Sequence, residues 1–113
     1  MIDQPIVVNW SISGFPPSYV ERRWHADVPA GLRPAIEEFV NRVHFFELPG
    51  SLGVDAPGGR DRGSDTIAVA MGSRSHTVRF SDSPQTTALA EFRAWLMEHL
   101  APIATAECID HLR

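Results

Sequence analysis

Four short stretches of the chain alternate apolar and polar residues at every second position, and two longer ones repeat at the three- and four-residue spacing of a helix. Ile6, Val8, Trp10 and Ile12 are apolar while Asn9 and Ser11 interleave, the pattern of a strand buried on one face. Gly14-Phe15-Pro16-Pro17-Ser18 interrupts it. Alternation then resumes, with Val20, Trp24 and Ala26 on one side and Glu21, Arg23 and His25 on the other. The two runs predict an antiparallel hairpin in which Arg22, on the apolar side, reaches its charge to the edge.

From Leu32 the period lengthens. Leu32, Ile36, Phe39, Val40 and Val43 lie on one helical stripe, and Glu37, Glu38 and Asn41 lie on the wet side. Pro34 is tolerated only in a first turn, so the helix is expected to start between residues 30 and 33 and to run to about 44. Phe45, Phe46 and Leu48 extend the apolar character until Pro49-Gly50 stops it. Residues 49–64 contain five glycines and two prolines, with Leu52 and Val54 as the large apolar side chains, which predicts a long loop.

A second hairpin follows. Ile67, Val69 and Met71 alternate with smaller residues, Gly72-Ser73 marks the turn, and His76 to Phe80 alternates again. Ser83 before Pro84 is a helix-start signal, a capping hydroxyl ahead of a proline in the first turn. Leu89, Phe92, Leu96 and Leu100, with Trp95 beside them, continue a helical stripe to Pro102. Residues 101–113 carry no clear period and are expected to be a tail or a frayed helix. The order strand, strand, helix, strand, strand, helix predicts an α+β domain: one four-stranded antiparallel sheet with both helices on a single face. A single domain over 1–113, with its core at about 5–100, fits the 113-residue length.

Composition narrows the function classes. Apolar residues are 43% of the chain and charged residues 21%, the balance of a folded domain. A formal charge of −4 leaves no positive surplus for phosphates, which argues against nucleic-acid binding. No apolar run approaches the roughly 20 residues of a membrane span, and residues 1–5 lack a basic leader, so a cytoplasmic, soluble monomer is expected. The single cysteine, Cys108, allows no internal disulfide.

Candidate chemistry is sparse. His99, Cys108 and His111 hold metal-ligating groups at a spacing that fits no standard zinc site, and no metal or cofactor is expected. No serine lies in a G-x-S-x-G elbow, and the loop glycines form no phosphate-binding motif, so no catalytic residue is expected. Trp10, Trp24 and Trp95 fall on the inner faces and His76 on the apolar side of its strand. Phe15 stands apart at a hairpin tip, where no core is at hand to cover it. Partner binding is therefore expected at Ser13, Gly14, Phe15, Pro16 and Pro17 in the first turn, and at Leu52 and Val54 in the long loop.

Several of these residues together resemble the emfourin family, small bacterial proteins that inhibit thermolysin-like zinc metalloproteases. The likeness rests on Ser13-Gly14-Phe15, Arg23-Trp24, Phe45-Phe46-Glu47-Leu48-Pro49, Asp65, His76-Thr77-Val78 and Trp95-Leu96, and covers about residues 6–100. Pro16-Pro17 departs from the glycine-rich first turn of typical members, and residues 101–113 lie outside the likeness. The resemblance implies an α+β inhibitor that plugs a protease cleft and whose partner is a thermolysin-like metalloprotease. Two rival readings start from the same residues: a general interaction module with no inhibitory activity, and a small enzyme or ligand-binding domain that uses the long loop as a lid.

Overall fold

The computed structural model of the chain describes residues 5–13, 20–52, 65–81 and 86–110. In chain order the elements are β1 (Ile6–Ser13), β2 (Val20–Asp27), α1 (Arg33–Val43), β3 (Ser51–Leu52), β4 (Asp65–Met71), β5 (Arg74–Phe80), α2 (Thr87–Trp95) and β6 (Thr105–Asp110). Among the described residues the strands make one six-stranded sheet in the order β3-β5-β4-β1-β2-β6. β1 lies inside it, paired antiparallel with β2 on one side and β4 on the other. The β3–β5 pair alone is parallel, and it sits at an edge.

Each strand's alternation sorts its residues between two environments. Val8 and Trp10 of β1, Ala26 of β2, Ile67 and Val69 of β4, and Val78 and Phe80 of β5 face one side and are buried. Both helices bury their stripes in the same core, through Ile36 and Val40 of α1 and Leu89 and Phe92 of α2, so both cover that one face. Phe39 of α1 stacks on Phe92 of α2 with ring centroids 5.0 Å apart. The opposite face of the sheet carries polar, charged and small residues, Asn9, Ser11, Arg23, Ala68 and Glu107 among them, and no helix among those described.

Local signals set the element ends. The chain enters α1 through a 3-10 turn at Ala30–Leu32, and Pro34 occupies the first turn, where a missing amide donor costs nothing. His44 ends α1 in the left-handed region at φ 53 and ψ 51, a conformation in which an L side chain crowds its own carbonyl. Gly72 turns β4 into β5 with φ 60, the positive φ that a tight hairpin asks of its first central residue. After Trp95 the last helix widens into a π-helical segment, Leu96–Leu100, before a 3-10 turn at Ala101–Ile103.

The α+β class and the two helices on one face match the expectation, but the sheet does not stop at four antiparallel strands. Ser51–Leu52, expected as loop, forms β3 beside β5, and Thr105–Asp110, expected as tail or frayed helix, forms β6 beside β2. Both additions are edge strands that carry no periodic signal: β3 is two residues long, and the described side chains of β6, Thr105 to Glu107, are exposed on both faces. The helix start expected at Ser83 lies outside the described residues, and α2 is described from Thr87. No described helix is long and apolar enough to cross a membrane.

Candidate functional site

Strand register brings the two loops nominated by the sequence to one end of the sheet. Leu52 pairs with Phe80, Phe80 with Asp65, Asp65 with Ile12, Ile12 with Arg22, and Arg22 with Cys108. These six residues form one row across all six strands. Segment 14–19 leaves β1 and enters β2 just beyond that row, and segment 53–64 leaves β3 and enters β4 at it. Since neighbouring strands lie about 4.8 Å apart, the attachment of 53–64 at Asp65 is one strand spacing from β1, which carries 14–19.

This end of the sheet is fastened to the helix layer. Asp65, 9% exposed, is ion-paired to Arg93 of α2, whose guanidinium also lies 5.8 Å from the Phe80 ring centroid. The Thr86 hydroxyl donates to the Ser81 carbonyl over 2.8 Å. Burial of these polar groups is tolerated because each has a partner. Segment 14–19 is attached to two inner strands, β1 and β2, and segment 53–64 to the edge strand β3 and the inner strand β4.

Of the residues expected to bind a partner, Ser13 is the last of β1, opposite Glu21. Leu52 lies in β3, opposite Phe80, half-buried and packed on the core, so its side chain contributes to packing. Gly14, Phe15, Pro16, Pro17 and Val54 lie outside the described residues. Register brings the ends of the two segments together.

The other residues that carry the resemblance form scaffold. Phe45 is fully buried, with T-shaped contacts to Phe46, His76 and Phe92 at 5.8, 5.7 and 6.3 Å. His76 Nε2–H donates to the Leu48 carbonyl at 2.6 Å, tying the exit of α1 to β5. The Arg74 guanidinium lies 4.0 Å above the Phe46 ring. Trp24 stacks on Trp10 at 5.7 Å, and the Trp10 indole N–H donates to Met97 Sδ. Trp95, expected in the core, is half-buried between Phe39 and His99.

A groove of about 490 Å³ on the uncovered sheet face was not singled out by sequence reasoning. It is lined by Asn9, Ser11, Arg23, His25, Thr66 and Glu107, among others. His25 Nδ1–H donates to Asn9 Oδ1. The outward phase of the strand alternation is the signal that would have found this face. Among the described residues no group of three or more His, Cys, Asp or Glu could hold a metal ion. The side chain of Cys108 and the whole of His111 lie outside the described residues.

No family model matches the chain, and neither a curated protein nor a solved structure matches it.

Proposed function

We propose that this protein inhibits a thermolysin-like zinc metalloprotease by presenting segments 14–19 and 53–64 to the active-site cleft. The observation that supports the reading is the shared row at one sheet end, from which both segments emerge with three of their four attachments on inner strands, β1, β2 and β4. An inhibitor of this kind gains affinity when little freedom is lost on binding, and rigid attachment points reduce that loss. The emfourin-like residues Phe45, Phe46 and His76 lie in the scaffold, as expected if the likeness reflects a common framework.

Phe15 is the proposed anchor. Thermolysin-like enzymes as a class favour a bulky apolar side chain just after the bond they cut, and Phe15 supplies one in the first turn. Pro16 and Pro17 fix φ near −65° and remove two amide donors, so the segment cannot make the full strand-like bonding of a good substrate. It binds and is not readily cut. Truncating a buried aromatic anchor commonly costs about 2 kcal/mol, or roughly thirtyfold in affinity. Inhibition constants of Phe15→Ala and of a variant shortened within 53–64 test the assignment: Phe15→Ala is expected to weaken inhibition about thirtyfold and the shortened variant less. Full inhibition by Phe15→Ala with none by the shortened variant transfers the anchor to 53–64.

A further inference from the structure

The edge strand β6 has no strand on its outer side among the described residues, and its sequence guards that edge only with the acidic residues Glu107 and Asp110. Its ladder with β2 runs without a bulge from His25↔Thr105 to Val20↔Asp110, and its six residues include no proline and no lysine. Proline, lysine and bulges are the usual devices that keep such an edge from pairing. The described side chains of β6, those of Thr105, Ala106 and Glu107, are all exposed. The opposite edge, β3, is only two residues long.

Beside β6 is a hollow of about 370 Å³ bounded by Arg22, Trp24, Ala106 and Glu107. Trp24 and Ala106 are cross-strand partners on the helix-side face, and both border that hollow. A strand added outside β6 would set one residue opposite Ala106, its side chain on the same face and within reach of that hollow. Its neighbour, opposite Glu107, would face the uncovered side. β6 carries two carboxylates, Glu107 and Asp110, and no base, and the whole chain has a formal charge of −4. Self-pairing through this edge would set two acidic strands, neither with a base of its own, side by side, which disfavours a second copy as the occupant.

We propose that β6 accepts an extended segment of a partner protein as a seventh strand, and that the segment alternates lysine or arginine with apolar residues. Main-chain bonds supply affinity, the apolar residue fills the hollow over Ala106 and Trp24, and the base meets Glu107. The inference is independent of protease inhibition, and its assay contains no protease.

The probe is the peptide acetyl-Thr-Lys-Phe-Lys-Val-Thr-amide, titrated into the full chain and followed by residue-resolved amide exchange. Saturable binding with new protection confined to residues 105–110 is expected. Glu107→Lys, a surface change checked for native circular dichroism, is expected to weaken binding about fivefold, and the same peptide with glutamate for lysine is expected to prefer that variant. Backbone N-methylation of the peptide at the amides facing β6 is expected to abolish binding. Absence of saturable binding, protection elsewhere, or indifference to both N-methylation and Glu107→Lys overturns the proposal. So does a concentration-dependent dimer with residues 105–110 already protected, because a second copy would then occupy the edge.

Discussion

Replacing Phe45 by alanine removes the side chain on which the exit of α1 depends. Phe45 is fully buried, and its ring meets Phe46, His76 and Phe92 edge to face. It therefore joins the end of α1 to β5 and to α2. Burying a phenylalanine contributes about 1.5–3 kcal/mol by transfer alone. The cavity left behind raises the usual cost of Phe→Ala to about 3–5 kcal/mol. Edge-to-face pairs add about 0.5–1.5 kcal/mol each, though these overlap with the packing already counted. About 4 kcal/mol is the expected loss. For a domain of this size that lowers the melting temperature by about 15 °C. Urea unfolding followed by circular dichroism measures it, with the slope unchanged so that the shift in midpoint reports stability. A loss below about 1.5 kcal/mol would refute the reasoning, because a site that collapses so cheaply is not the junction described.

Two further changes probe the ends of the elements. His44→Gly relieves the left-handed φ at the end of α1 and is expected to stabilise by about 1 kcal/mol; the exposed contact to Glu47 that it removes is worth little. Lower stability of the glycine variant in urea unfolding would place the strain elsewhere. A double-mutant cycle with Asp65→Asn and Arg93→Met is expected to give a coupling of about 1–2 kcal/mol for this largely buried pair, and additivity within error would remove it from the account of how the sheet end is fastened.

How much of this was legible in the sequence depended on burial. β1, β2, β4 and β5 were readable because one face of each packs under the helices, so the large apolar residues Val8, Trp10, Ile67 and Val78 recur at every second position with smaller or polar residues such as Asn9, Ser11, Ala68 and Thr77 between them. β3 has only Ser51 and Leu52, too few residues for any period. β6 is exposed on both faces at Ala106 and Glu107, so no alternation is imposed and pairing with β2 alone specifies it. Trp95 lies beside the stripe of Leu89, Phe92 and Leu96, which is buried, and its place at the margin of that stripe leaves it half-buried against Phe39 and His99. The candidate residues Ser13 and Leu52 could be named from turn and loop composition. That their segments leave the same end of the sheet follows from register, set by pairings as distant as Asp65 with Ile12, which local patterns do not contain.

The central claim, that this chain is a metalloprotease inhibitor, is tested most directly by titrating it into a thermolysin-like enzyme at a concentration far above the expected dissociation constant. The account predicts that activity falls linearly to near zero at about one inhibitor per enzyme, the signature of tight stoichiometric binding, while serine and cysteine proteases in the same panel keep their activity. Undiminished activity of every thermolysin-like enzyme in the panel at a tenfold excess of the chain would contradict it.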